Sequence, residues 1–345
     1  MASSRQDMSS VLVSVLIPSY NVEDYIERCV TSVMRQTYAP LECVIIDDGS
    51  TDHTAERINN ILKDYQGEVL FSFLQQRTNQ GVSSTRNHLL ESAHGDYVFF
   101  LDSDDEITSD CVSQMMSLVE EHPDIEIVQG FIKSIPDNPI YHWERYKDIT
   151  YMDDNNWVRL DFFKSEDYFP CQVANKLIST SFIKSYGLYF KPGIIHEDHS
   201  WMIHAARKLR RFAFVHAHTY VRHYRESSIM MTTNNYSQQS NDSWAFILTD
   251  ALDTIDSPFP IHQLNKLTTE FLYRYHFSGK KYQDVEKALS HALMKEGLYI
   301  GAVLLFLFSH VFKKKGNWRC QTLLIKYLTK KAEKEKLYKY YLTEK

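Results

Sequence analysis

The chain contains no CxxC pair, and its five cysteines (Cys29, Cys43, Cys111, Cys171, Cys320) are odd in number and far apart. This pattern supports neither a disulfide framework nor a structural zinc knuckle and fits a reducing cytosol. Glycine is scarce, at 11 of 345 residues, which excludes collagen-like and Gly-rich linker architectures. The first apolar run is followed by PSYNVE rather than GxGxxG, so the dinucleotide-binding turn is missing. A GxxxxGK(S/T) phosphate loop is absent too. His196-Glu197 has Ser200 where a zinc-protease HExxH would need its second His. The first ten residues, MASSRQDMSS, are polar and lack a signal-peptide stretch, so a disordered N-terminus over 1–10 is expected.

Against these absences stands an ordinary globular composition. Apolar residues make up 43%, charged residues 24% and aromatics 13%, which argues against intrinsic disorder. The length suits one α/β domain with an appendage, or two domains. A net charge of −6 argues against nucleic-acid partners, but the charge is uneven. From Lys313 to Lys345 there are 11 Lys or Arg against 3 Asp or Glu, so the body is acidic and the tail basic.

The first 132 residues alternate strand-like and helix-like patterns. Val11 to Ile17 is an apolar run broken only by Ser14 and ending at Pro18, as expected of a buried parallel strand. Val22, Tyr25, Ile26, Cys29, Val30, Val33 and Met34 then recur as one stripe of an amphipathic helix. Further strands are expected at Cys43–Ile46, Val69–Leu74, Tyr97–Leu101 and Ile125–Ile132, with helices between them. Such alternation predicts βαβ units and a mainly parallel sheet, with ligands bound at the carboxyl ends of its strands. Beyond Lys133 the periodicity loosens. Phe182–Tyr189 and Phe212–Thr219 each suit a strand or a short helix, and 236–290 reads as mixed helix.

Three polar clusters fall at predicted strand ends. Asp102-Ser103-Asp104-Asp105 sets three carboxylates within four residues, which repel each other unless a cation compensates. An Asp-x-Asp there suits Mn²⁺ or Mg²⁺ bridging a diphosphate; an acidic helix cap is the plainer reading. Tyr20, in Pro18-Ser19-Tyr20-Asn21, can stack on a base, and an Asp of Asp47-Asp48-Gly49-Ser50 can accept a pyrimidine N–H. Both stretches also make sense as turns that cap the following helices. Arg86, opening the helix after Gly81, is placed to reach a phosphate or to pair with one of these Asp residues. Farther on, His196-Glu197-Asp198-His199-Ser200-Trp201 offers a general base, or a capping acid beside a core Trp. Tyr220 to Ser227 carries Arg and His suited to a departing diphosphate, or forms a solvated strand end.

The segments VSVLIPSYNVEDYIERCVTSVMRQTY, VIIDDGSTDHT, NQGVSSTRNHLL and GDYVFFLDSDD resemble the family 2 glycosyltransferases of the GT-A fold. The likeness is dense over residues 11–135. It thins through HEDHSW and YVRHYRESS to about 230, and beyond that is only general, to bacterial polysaccharide-assembly members with a helical tail. It implies a Rossmann-like sheet flanked by helices. Residues 11–132 would form the nucleotide-sugar half, 133–230 the acceptor half and 231–345 a helical extension. Pro18, Tyr20 and Glu23 would line a nucleoside pocket, with Asp48 meeting the base. Asp102 and Asp104 would be the metal-binding pair, with Mn²⁺ or Mg²⁺. Asp198 would be the base of an inverting transfer, with Glu197 beside it in the acceptor site. Arg222, His223 and Arg225 would close over the diphosphate, His223 adding a metal contact. The partners implied are a nucleotide-sugar donor, commonly a UDP-sugar, and a saccharide or lipid-linked acceptor.

Two other classes compete. A haloacid-dehalogenase-type phosphatase also places DxD after an apolar strand, but wants Thr or Val where Glu106 stands, and wants the first strand rather than the fourth. A non-catalytic sugar-binding module would not need both the DxD and the Glu-Asp pairs. Finally, Gly297 to Phe312 has no Lys, Arg, Asp or Glu and is followed by Lys313-Lys314-Lys315. It is short of the about 20 residues of a spanning helix. Residues 297–331 therefore read as peripheral contact with an anionic membrane surface, here the inner face of the cytoplasmic membrane. A buried helix followed by a solvated basic one is the other reading.

Overall fold

The computed structural model describes residues 11–136, 146–154, 171–224, 237–254 and 281–298, with positions 264, 267, 268, 271, 301, 302, 305, 323, 324, 326–328 and 330. The disorder expected of 1–10, and Arg225, lie outside these residues. Contacts divide the chain into two compact units. One takes in Met1–Asn155, Cys171–Gly193 and His204–Ser228, the other Asn156–Pro170, Ile194–Ile203 and Ile229–Lys345. The second unit thus includes Ile194–Ile203, which the sequence reading had grouped with the acceptor half.

The first unit opens with β1 (Val13–Ser19), α1 (Ile26–Met34), β2 (Leu41–Asp47), α2 (Thr54–Lys63), β3 (Leu70–Gln75), α3 (Val82–Ser92) and β4 (Tyr97–Phe100). These strands lie parallel in the order β3-β2-β1-β4. The apolar runs are explained by burial: Val13, Val15, Leu16, Ile17, Val98, Phe99 and Phe100 have no accessible surface. Pro18 is tolerated in an inner strand because β4 pairs with β1 only as far as Leu16. The stripe expected of α1 is buried at Ile26, Cys29, Val30 and Val33, although Val22 to Tyr25 form a turn leading into it. The strand expected at Val69–Leu74 is the sheet edge, and Leu70 and Leu74 are exposed.

The sheet then departs from simple alternation. It continues through β5 (Glu106–Ile107), α4 (Cys111–Glu121), β6 (Ile127–Ile135), β7 (Tyr151–Met152), β8 (Lys176–Ser179), α5 (Thr180–Tyr186), α6 (Glu197–Lys208) and β9 (Phe212–His223). The order past β4 is β8-β6-β9-β5, with β7 pairing β9. Strand β8 runs antiparallel to both β4 and β6 and separates them. The sheet is therefore parallel at its first half and mixed at its second. Of Phe182–Tyr189, the part up to Tyr186 is helical, ending at the left-handed Gly187, and Phe212–Thr219 is part of a strand.

In the second unit, α7 (Gln238–Asp253) is capped by Ser237, whose hydroxyl accepts the Ser240 N–H at 3.1 Å. It packs on α8 (Lys281–Lys295), burying Trp244, Ile247 and Leu248 from one side and Val285, Leu289 and Leu293 from the other. Leu298, Leu305, Leu324 and Leu328 are buried as well. A Cβ on Gly301 would stand 3.3 Å from Leu293 and 3.6 Å from Leu328. These positions of the apolar tail are covered by protein. Among the described residues no helix is long and apolar enough to cross a membrane.

Candidate functional site

Three adjacent parallel strands, β2, β1 and β4, end in the polar clusters read from the sequence. The first two ends are stitched together. The backbone N–H groups of Asn21, Val22 and Glu23 donate to Ser50 Oγ (2.9 Å), Thr54 Oγ1 (2.8 Å) and Asp52 Oδ2 (3.1 Å). In return, Thr51 N–H donates to Asn21 Oδ1 (2.8 Å) and His53 N–H to Glu23 Oε2 (3.0 Å). Each loop thus satisfies the open backbone donors of the other at a helix start. Glu23 serves this bridge, and Tyr20 stands beside it, 42% exposed, with an open ring.

Gly49 closes the second loop. Its φ is +71°, and a Cβ there would come within 2.7–2.9 Å of the backbone of Thr78 and Asn79, so both conformation and space require glycine. Asp47 folds back on the Ser50 amide at 3.1 Å and also accepts the Ser50 hydroxyl. Asp48 is buried, and its two oxygens accept the amides of Gln80 (2.8 Å) and Gly81 (2.9 Å). The residue expected to meet a base therefore also anchors the chain entering α3.

Helix α3 turns an unusually polar face inward, with Ser83, Thr85 and Arg86 buried. Arg86 pairs with Asp102 Oδ1 at 3.0 Å, the second of its two sequence readings. Its guanidinium lies 5.4 Å from the ring centroid of Phe190. Phe190 is held in turn by Asn87, which accepts its N–H and donates to its carbonyl, both at 2.8 Å.

The turn after β4 is tied to β9. Asp105 N–H donates to the Asp102 carbonyl (3.0 Å), and Arg28 to the Asp104 carbonyl (2.7 Å). The buried Tyr220 hydroxyl accepts the Asp102 N–H (3.2 Å) and donates to Asp105 Oδ2 (2.8 Å). His223 N–H fills the other oxygen, Asp105 Oδ1 (2.8 Å). Burial, with Asp104 and Asp102 alongside, pushes the Asp105 carboxyl up to about 8. Burial likewise raises the Tyr220 phenol well above its usual value. Arg222 stands half-buried near the end of β9. His223 is beside the turn, but its Nε2 is 2.9 Å from Glu106 Oε1. A metal contact from that nitrogen would have to break this pair.

Neither Asp105 nor Tyr220 was singled out from the sequence. Asp105 was visible as the third acid of its cluster. Tyr220 headed a noted segment, but nothing local shows that its hydroxyl reaches back 118 residues.

Glu197 and Asp198 stand in the first turn of α6, at the end that belongs to the second unit. The entry to this helix is fixed by His196 at φ +64°, whose Nε2 is 2.9 Å from Ser240 Oγ. His199 lies 5.0 Å from the Trp244 ring, and Ile195 N–H donates to Ser243 Oγ at 3.1 Å. Trp201 is buried, as a core Trp should be.

The donor set suits a hard divalent cation. Asp102 and Asp104 present half-buried carboxylates just past the end of β4, with the buried Asp105 beside them. Among the described residues no three His, Cys, Asp or Glu side chains gather as a cage. Two carboxylates completed by substrate phosphates and water are the usual arrangement for Mg²⁺.

Residues 14–185 match the family model described as glycosyl transferase family 2. A Haemophilus influenzae protein named as an uncharacterized glycosyltransferase is 29% identical over 231 residues, 66% of this chain and 85% of the relative. The putative teichuronic acid biosynthesis glycosyltransferase TuaG of Bacillus subtilis is 41% identical over 113 residues, 32% of this chain and 42% of its own length. In Campylobacter jejuni, the GalNAc(5)-diNAcBac-PP-undecaprenol beta-1,3-glucosyltransferase is 34% identical over 109 residues, 32% of this chain and 35% of its own. The crystal structure of S. aureus TarS 1–349 in complex with UDP-GlcNAc matches with a TM-score of 0.63 at 20% identity, covering 93% of this chain and 90% of that one. At that identity the likeness speaks to fold. With the parallel β2-β1-β4 core and its polar strand ends, these matches show that the chain belongs to the family 2 glycosyltransferases and has their GT-A fold.

Proposed function

We propose that this enzyme transfers a hexosyl or N-acetylhexosaminyl group from a UDP-sugar to a saccharide or lipid-linked saccharide hydroxyl, inverting the anomeric centre, in cell-surface polysaccharide assembly. The observation that carries the reading is the gathering of Tyr20, Asp48, Arg86, Asp102 and Asp104 at one end of three parallel strands. It is supported by the names of relatives in teichuronic acid and undecaprenol-linked glycan assembly, and by a structural neighbour that binds UDP-GlcNAc.

In this reading Pro18, Tyr20 and Glu23 shape the nucleoside pocket, with Asp48 at the base. Asp102 and Asp104 hold Mn²⁺ or Mg²⁺, which when bound neutralises diphosphate charge. Arg86 steadies Asp102, and Arg222 and Arg225 face the departing diphosphate. Asp198 takes the proton from the acceptor hydroxyl, whose oxygen attacks the anomeric carbon from the face opposite the leaving group, with Glu197 beside it. The transition state is oxocarbenium-like, as in glycoside hydrolysis. The enzyme works in the cytoplasm at the inner membrane face, where the basic tail meets anionic headgroups; loss of liposome binding on deleting 297–345 tests that contact. The rival phosphatase and binding-module readings predict no transfer. The deciding experiment is calorimetric titration of UDP, GDP, dTDP and CDP, each with Mn²⁺ and with EDTA. Mn²⁺-dependent binding of UDP, lost in Asp104→Ala, is expected. No binding of any nucleotide by folded protein would overturn the donor assignment.

A further inference from the structure

The third acid of the Asp102–Asp105 cluster does different work from the first and third positions of the Asp-x-Asp. Asp105 is almost fully buried, and both its oxygens are occupied by β9, through the Tyr220 hydroxyl at 2.8 Å and the His223 amide at 2.8 Å. The Tyr220 hydroxyl has no accessible surface around it and makes a second bond, accepting the Asp102 N–H at 3.2 Å. One oxygen atom thus contacts both ends of the four-residue turn. The neighbouring pair of β5 with β9 adds Glu106 opposite Val221 and the Glu106–His223 side-chain contact at 2.9 Å.

We infer that Tyr220 is a positioning residue for the Asp102–Asp104 pair: its hydroxyl sets the turn in the geometry that receives cation and diphosphate. This rests on the donor-site reading above. The physical reason is that Asp102 and Asp104 repel each other and, with a third acid buried beside them at Asp105, tend to spread the turn. A single buried donor–acceptor group bridging the backbone of the first to the side chain of the last opposes that spreading. Because Arg222 and His223 continue from the same strand, the segment facing the diphosphate and the turn carrying the carboxylates are held by one element. Tyr220 touches neither substrate nor metal in this assignment.

The test is Tyr220→Phe, which keeps the ring and removes the oxygen. UDP binding to the full chain is titrated calorimetrically in Mn²⁺ and in EDTA, with thermal melting alongside. The expected result is that the affinity gain conferred by Mn²⁺ falls about tenfold, equivalent to about 1.4 kcal/mol, while UDP affinity in EDTA is unchanged. A residue that merely supports the fold would lower the melting point and reduce both affinities together, which would overturn the assignment. An unchanged Mn²⁺ gain in Tyr220→Phe, with wild type showing that gain, overturns it alone. Absence of any Mn²⁺ gain in wild type overturns it together with the donor-site reading. If Tyr220→Phe does not fold, Asp105→Asn, which keeps the shape but weakens the same bridge, is judged by the same criterion.

Discussion

Replacing Arg86 by Met removes the guanidinium but keeps an apolar stem of similar reach beneath Phe190. The lost pair is short, 3.0 Å, with the Arg86 side chain 5% exposed and Asp102 34% exposed. At an effective dielectric of 20, two unit charges about 4 Å apart attract by about 4 kcal/mol. Solvent reaching Asp102 screens part of this, and the desolvation of Arg86 offsets more. A net loss of about 2–3 kcal/mol remains, because the Asp102 carboxylate loses its Arg86 partner while Asp104 still stands beside it. Asp102→Asn relieves that repulsion, so the double variant should recover part of the loss. The coupling energy from the double-mutant cycle is expected at about 1–2 kcal/mol. Urea unfolding in EDTA, followed by far-UV circular dichroism, measures it. A coupling below about 0.5 kcal/mol would refute the argument, since Arg86 and Asp102 would then act independently.

Gly49→Ala should destabilise by about 3–5 kcal/mol, combining the left-handed backbone cost with overpacking against Thr78 and Asn79. Gly187→Ala, at φ +59° with open space around it, should cost only about 1–2 kcal/mol, and equal losses in denaturant would discount the close approach at Gly49. Asp52→Asn should cost about 1 kcal/mol at neutral pH, because hydrogen bonds from Thr54 and Glu23 outweigh burial and hold the carboxyl below its usual value. A depressed folded-state pKa stabilises above the unfolded value and fades as pH falls through the folded one, so the gap to wild type should close below about pH 4. A gap that widens in acid would contradict this. Asn87→Ala should remove the two side-chain hydrogen bonds to the Phe190 backbone and lower the melting point by about 2–4 °C for each kcal/mol lost in a domain of this size. An unchanged melting point would show that Phe190 is held by other contacts.

How much was legible follows from how each element is buried. Strands β1, β2 and β4 are covered on both faces, so each reads as a mainly apolar run, interrupted by Ser14 in β1 and Glu42 in β2. Each also stops at an acid or a turn residue, which placed Tyr20, Asp48 and Asp102 at one edge before any coordinates. Helix α3 was less legible, because the face it buries carries Ser83, Thr85 and Arg86 rather than an apolar stripe. Its polar burial makes sense only once Asp48 and Asp102 are seen opposite it.

The mixed half of the sheet was hidden for a different reason. Strand β8 has four residues and begins at Lys176, which reads as exposed but has no accessible surface; its Nζ donates to the Gln172 carbonyl at 2.7 Å. Asn175, at φ +59°, reaches across to the carbonyls of Gly130 and Phe131 at 2.7 and 3.2 Å, where the pairing of β6 with β9 slips register. A side chain on Gly130 would run into Thr219. The Asn175 bonds join residues 44 and 45 apart in sequence, and periodicity carries no record of them. The same holds for Tyr220 and Asp105. The sequence pattern locates a site where chemistry clusters locally, whereas the residues that hold the cluster in shape come from distant strands and appear only when the sheet is assembled.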